Sequence, residues 1–218
     1  MLSFALSTAL VAVYASSAAA LSGEATFYGG NTQGGMCSFS DYTIPEGIYG
    51  TAISDSNWDD SEACGGCVKV TGPNGNSITA MVVDQCPGCG ENHLDLFQDA
   101  FAQLADPSKG VIDVTWEYTT CPISSALEVQ MKEGVSANWF SAHIVNANER
   151  VSDLQVSTDG GSTWQSGLTR QDYNYFEQSS GFGTDNVAIK AISVDGGSVV
   201  VKGCSVTGGS TKGGSGNF

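Results

Sequence analysis

The sequence predicts an all-β protein, and three observations carry that prediction. Glycine is abundant, at 28 of 218 residues with only 5 prolines, so tight turns recur along the chain. Short apolar or alternating runs are separated by clusters of Gly, Asn, Asp and Ser, the punctuation of strands rather than helices. Hydrophobic residues make up 41% and charged residues 14%, enough to fill a core and too few charges for a self-repelling tail.

The chain opens on MLSFALSTALVAVYASSAAA, which carries no charged side chain and holds an apolar run from Leu2 to Tyr14 followed by small residues. We read residues 1–20 as a secretory signal peptide with Ala18-Ala19-Ala20 as its small-residue cleavage site; the run is too short to span a bilayer, which needs about 20 residues. The expectation is a secreted, extracellular protein. Export places the cysteines in an oxidising space. Cys64-x-x-Cys67 and Cys86-x-x-Cys89 also fit a four-cysteine zinc site. With Cys37 and Cys121 close by in sequence, disulfides among Cys37, Cys64, Cys67, Cys86, Cys89 and Cys121 are the working reading, their pairing open. Cys204 is the odd one, a buried free thiol or a site of intermolecular pairing.

The formal charge of -15 excludes a binder of phosphate backbones, which needs a basic face. The charge is unevenly spread. Residues 21–122 carry 14 acids and 2 bases, and residues 123–218 carry 9 acids and 6 bases, while six of the seven cysteines precede residue 122. Two domains are expected, 21–122 and 123–207, followed by a flexible Gly/Ser tail at 208–218.

In the first half, Gly23 to Tyr28, Cys67 to Thr71, Ile78 to Asp84 and Val111 to Tyr118 read as strands. The last is clearest, with Ile112, Val114, Trp116 and Tyr118 on one face. Gly72 to Asn76 is a turn. One helix is expected from Gln98 to Ala105, with Phe97, Ala100, Phe101 and Leu104 sharing a face before Asp106-Pro107 stops it. In the second half, Leu127 to Met131, Ala142 to Asn146, Val151 to Ser157, Val187 to Ser193 and Ser198 to Lys202 read as strands, with Asp159-Gly160-Gly161 and Asp195-Gly196-Gly197 as turns. That spacing predicts a β-sandwich. Trp164 is assigned to its core.

Asp84 and Asp95 stand out because apolar residues flank each: Val82-Val83 before one, Leu94 and Leu96 around the other. A carboxylate at a sheet rim is suited to proton donation, although a strand end or helix cap is the ordinary use of such residues. Around them run Thr26-Phe27-Tyr28-Gly29, Cys64-Gly65-Gly66-Cys67, Val82 to Gly90, and His93-Leu94-Asp95-Leu96. This pattern, followed by an A-F-x-x-L-A helix and a Trp-bearing strand, resembles the first domain of expansins and expansin-like proteins. The second half is similar to the expansin carbohydrate-binding domain through Lys132-Glu133-Gly134, Trp139-Phe140, Trp164 and Asp172-Tyr173-Asn174.

The resemblance implies a six-stranded double-psi β-barrel, shared with barwin-type proteins and glycoside hydrolase family 45, followed by an immunoglobulin-like β-sandwich. It makes Asp95 the equivalent of the family's acid, with Thr26, Tyr28 and Asp84 lining the same groove. Trp139, Phe140 and Tyr173 would form a polysaccharide-binding strip. Here the sequence departs from the family, which carries two Trp at the pair. Adjacent strand residues point to opposite faces, so one of Trp139 and Phe140 belongs to the core unless they sit at a bend; Tyr175 and Phe176 are further aromatic candidates.

Inverting glycoside hydrolysis needs a base about 6.5–9.5 Å from the acid. A hydrolase of this barrel type is expected to present that base after the Thr-x-Tyr strand, where this chain has Gly29, Gly30 and Asn31. Asn31 cannot accept the proton, and Glu24 and Asp41 are the nearest alternatives. With one His per half, His93 and His143, neither a metal centre nor a Ser-His-Asp site is supported, and no cofactor is expected. His93 is placed at the groove rim near Asp95.

The leading expectation is a non-hydrolytic, monomeric, wall-loosening protein. Its partner would be a cell-wall polysaccharide, namely cellulose, xyloglucan or a related β-glucan, with no nucleic acid and no membrane. A weak endoglucanase or lytic transglycosylase acting through Asp95 is the rival, and a barwin-like inhibitor of a partner protein a third reading.

Overall fold

Residues 20–218 are described by the structure, a computed structural model. The expected leader therefore falls, but for Ala20, outside the described residues. The first half forms β1 (Leu21–Tyr28), β2 (Tyr49–Ser54), β3 (Cys67–Thr71), β4 (Ser77–Cys86), β5 (Leu94–Phe97), α1 (Gln98–Leu104) and β6 (Ile112–Thr119). The six strands close into a barrel in the order β1-β5-β2-β4-β3-β6. The β1/β5 and β2/β4 pairs are parallel, and the other four are antiparallel. This is the double-psi barrel.

The alternation of β6 does what its pattern demands: Ile112, Val114 and Trp116 are buried in the barrel core while Asp113 and Thr115 face out. Leu94 and Leu96 point inward from β5, which sends Asp95 and Phe97 outward. The helix closes one side through Ala100, Phe101 and Leu104, with the Phe101 ring 4.8 Å from Phe27. Phe97 departs from the expected helical face. It occupies the position before the first turn, in extended backbone, and lies on the outer face of the barrel.

Disulfides join Cys37 to Cys64, Cys67 to Cys121 and Cys86 to Cys89. Cys64 and Cys67 thus bond to different partners, and the four thiols with zinc-like spacing do not converge on one point. Cys204 is a buried free thiol whose pKa burial pushes up to about 11.

The second half forms β7 (Glu128–Met131), β8 (Phe140–Val145), β9 (Val151–Ser157), β10 (Thr169–Arg170), β11 (Phe176–Gln178), β12 (Asn186–Ser193), β13 (Ser198–Ser205) and β14 (Thr211–Gly213). One sheet runs β10-β11-β8-β7-β14 and the other β13-β12-β9. Leu127, Val129, Phe140, Leu154, Val156, Ile189 and Val201 fill the space between them, giving the immunoglobulin-like sandwich.

Two expectations fail here. The tail at 208–218 is not a flexible appendage: β14 pairs with β7, covering a sheet edge whose backbone groups would otherwise lack partners. Beyond it, the Asn217 amide donates to Ser125 O and Asn146 O, and Phe218 packs on the sandwich core. Composition misled because the backbone pairing of β14 and the two terminal side chains, not the glycines and serines themselves, order this segment. Trp164 is not in the core either. Its neighbour Gln165 bridges Val156, so the indole lies half-buried on the outside of the β9 sheet, with Lys190 Nζ 4.3 Å from the ring centroid.

The halves touch through named groups. Arg170 donates to Ser61 Oγ at 3.0 Å and Ser61 O at 2.8 Å, Ser61 Oγ donates to Gln171 O at 2.8 Å, and Arg150 stacks 4.0 Å over Tyr118. Desolvation lowers the Arg170 pKa to about 10. Ser61 ends a run of three residues, from Asp59, with φ near +50 to +70°, a left-handed turn that presents its carbonyl and hydroxyl to the guanidinium.

Candidate functional site: a barrel groove and an aromatic face

The outer face of β1, β5, β2 and β4 carries the first group of candidates. Thr26 and Asp95 are register partners on parallel strands, and Thr26 Oγ1 donates to Asp95 Oδ1 at 2.6 Å. His93 Nε2 lies 2.8 Å from the same hydroxyl. A threonine hydroxyl has one proton; with that proton donated in the hydrogen bond to Asp95, the imidazole N–H is the donor to Thr26. The three form a chain from His93 through Thr26 to Asp95, which confirms nearness of His93 to Asp95 but buries it, at 8% exposure, behind the rim.

Ala52 pairs with Asp95 on one side and with Asp84 on the other. Strand spacing of about 4.8 Å therefore sets the two acids about 10 Å apart along the backbone, with a methyl group between them. Asp84 faces the groove only because the β2/β4 register shifts between Thr51 and Ala52; the extra residue, Val83, turns into the core. Asp84 Oδ1 accepts from Met36 N at 2.7 Å and Gln85 N at 2.9 Å, so this carboxylate braces the loop that follows β1.

Tyr28 lies two residues beyond Thr26 on the same face. Its hydroxyl is buried and bonds to no group among the described residues. Burial first, then the negative charges of Asp84 and Asp95, push its pKa well above the ordinary phenol value. Asn31 is exposed, and its Oδ1 accepts from Gln33 N at 2.7 Å, a local turn contact. Glu24 and Asp41 are exposed, on β1 and on the loop after it.

The second group divides. Trp139 is half-buried on the outer face, whereas Phe140 starts β8 fully buried, its ring 5.1 Å from Phe182 in the sandwich core. Phe140 therefore cannot belong to a surface strip, as strand alternation requires. Tyr173 joins Trp139 at the surface, and Lys132 Nζ sits between them, 5.5 Å from the Trp139 ring centroid and 5.6 Å from that of Tyr173. The Tyr173 hydroxyl donates to Glu177 Oε1 at 2.9 Å. Tyr175 lies beneath, stacked at 4.3 Å on the buried His143, and Phe176 is core.

His143 is enclosed completely. Its Nε2 meets Gln130 Oε1 at 2.8 Å, its Nδ1 has no partner among the described residues, and desolvation lowers its pKa to about 3.

One loop ties the two groups together. Met36 N holds Asp84, Cys37 O accepts from Asn174 Nδ2 at 3.1 Å, and Ser38 Oγ donates to Tyr173 O at 2.9 Å. Sequence reasoning did not find Met36, Gly50, Ala52, Phe97 as a groove residue, or Lys132 as the centre of the aromatic face. Lys132 lay inside a motif already singled out; β2, with its small residues, gave no periodic signal at all.

Comparison with known proteins agrees with this architecture. A family model described as lytic transglycolase matches residues 50–116, inside the barrel. Expansin-like protein 5 of Dictyostelium discoideum is 31% identical over 177 residues, covering 78% of this chain and 74% of that protein. Expansin-like protein 1 of the same organism is longer, and the chain spans 57% of its length at 28% identity over 72% of this chain. The apo expansin of Clavibacter michiganensis superposes with a TM-score of 0.81 at 30% identity, covering 92% of this chain and 98% of that one. An Asp-to-Asn mutant of that expansin, solved in complex with cellohexaose, gives a TM-score of 0.79 at 30% identity over 89% of this chain and 96% of that one. From the barrel with its Thr26–Asp95 pair to the sandwich behind it, the chain belongs to the expansin family.

Proposed function

We propose that this is a secreted protein that binds cellulose or a related β-glucan and loosens cell walls without hydrolysing them. One observation carries the reading: Asp95 is fixed in the groove by the Thr26 hydroxyl, and the stretch after β1 that would supply a base is Gly29-Gly30-Asn31, with the Asn31 amide oxygen engaged in its own turn. A glycan in the groove would meet Asp95 and Asp84, both able to bond sugar hydroxyls, beside the ring of Tyr28, whose hydroxyl is buried. Trp139 and Tyr173 would stack on sugar faces, with Lys132 between them. The Clavibacter relative solved with cellohexaose supports a cellulose-like ligand. The apolar leader of the sequence supports export.

The test is a pull-down of the mature chain on insoluble cellulose, xylan, chitin and peptidoglycan, with sugar release assayed in the supernatant. Retention on cellulose with no released sugar is expected; no retention on any glycan would overturn the reading. The His93–Thr26–Asp95 chain and the lytic transglycolase family match favour a second reading, cleavage by a single acid with the sugar supplying the nucleophile. Anhydro-sugar release lost in Asp95→Asn would establish it instead.

A further inference from the structure

We propose that Phe97 is a sugar-stacking subsite of the barrel groove, one pyranose ring beyond Asp95. The inference rests on the reading that a glycan lies in that groove. Phe97 precedes the first turn of α1, where Ser, Thr, Asp or Asn would bond the free backbone amides, and here no side-chain cap forms. An aromatic ring at that place forgoes the cap. It is turned instead onto the groove face: Tyr28 and Phe97 are register partners, and their rings meet edge to face at 5.6 Å.

Two glycines are matched to this ring. A Cβ at Gly50 would stand 2.4 Å from the Phe97 ring, and one at Gly30 would stand 2.3 Å from it and 2.6 Å from the Tyr28 ring. Only hydrogen at both positions lets the ring lie where it does. The ring remains half-buried and opens on a cleft of about 510 Å³ that it lines with Gly29, Gly30, Gln98, Asp99 and Pro107. An apolar ring face bordered by an amide and a carboxylate is the chemistry that holds a neutral pyranose: its C–H face on the ring, its hydroxyls on Gln98 and Asp99.

Spacing fits the same strand of glycan. Asp95 and Phe97 are two residues apart on β5, about 6.6 Å at the rise of a parallel strand, on the order of one sugar repeat. A ring stacked on Phe97 leaves its neighbour over Asp95 and Thr26.

The experiment titrates the mature chain with cellohexaose by NMR, following the Phe97 ring and the Trp139 indole separately, in wild type, Phe97→Ser and Phe97→Trp. Serine restores a capping side chain, so loss of fold is not the expected result. We expect shifts at Phe97 in the wild type, roughly tenfold weaker groove binding in Phe97→Ser, and recovery in Phe97→Trp. Shifts at Trp139 with none at Phe97 would overturn the subsite and leave the functional reading standing. Equal groove affinity in Phe97→Ser would also overturn it. So would weak groove binding in both variants accompanied by a lowered melting temperature, since the ring would then be only structural. No shift at either place would remove the functional reading itself.

Discussion

Thr26 and Asp95 face each other across the parallel β1/β5 pair, hydroxyl to carboxylate at 2.6 Å, with His93 on the far side of the same hydroxyl. Thr26→Val keeps nearly the same shape and removes both bonds. Because the carboxylate is half-buried, a loss of about 1–2 kcal/mol is expected, with Thr26→Ser recovering most of it. Urea denaturation measures this; an unchanged midpoint in Thr26→Val would show that water replaces the hydroxyl at no cost.

Trp139 and Phe140 are adjacent and opposite in role. Phe140→Ala empties a fully buried site and is expected to cost about 3–5 kcal/mol. Trp139→Ala should stay within about 1 kcal/mol of wild type while losing retention on insoluble cellulose. Denaturation and pull-down on both variants separate the two; a Trp139→Ala protein that binds cellulose normally would refute the surface role.

His143 is neutral in the folded state down to a pH of about 3, whereas an unfolded imidazole titrates near 6.5. Below 6.5 the unfolded chain binds a proton that the folded one refuses. This contribution to stability is therefore full above pH 6.5 and declines as pH falls, by up to ~1.4 kcal/mol per unit until about pH 3. His143→Gln should flatten the fall between pH 6.5 and 4.5. Denaturant midpoints at several pH values read the slope, and identical slopes in both proteins would reject the assignment.

The barrel half carries a net -12 and the sandwich half -3. Polyanionic walls should repel the protein at neutral pH and low salt, and less so in acid or at high ionic strength, while binding to purified cellulose changes little. Binding isotherms on both materials across salt and pH check this, and equal binding to the two at low salt and neutral pH would contradict it.

The strands most readable from sequence were those with strict alternation, β6 above all, and those ended by Gly-rich turns. Strand β2 was missed because Gly50 is small to fit under Phe97 and Ala52 is small between two acids, constraints set by residues more than 30 positions away. Asp84 and Asp95 were found through their apolar flanks, but the register shift that lets Asp84 face outward is a pairing property and leaves no trace in either strand alone. Strand alternation required one of Trp139 and Phe140 to be core without saying which. The tail misled because glycine and serine, usually loose, here lie along an open sheet edge.

The short loop from Met36 to Ser38 makes the distance between acid groove and aromatic face a fixed length. In two modules joined by a flexible tether, the second contact benefits from whatever spacing the tether can reach. Here Met36 grips Asp84, and Cys37 and Ser38 grip the Tyr173 segment, so no averaging over separations occurs. On the proposed function the molecule would act as a gauge, gaining from engagement of both faces only where polymer is presented at that one span.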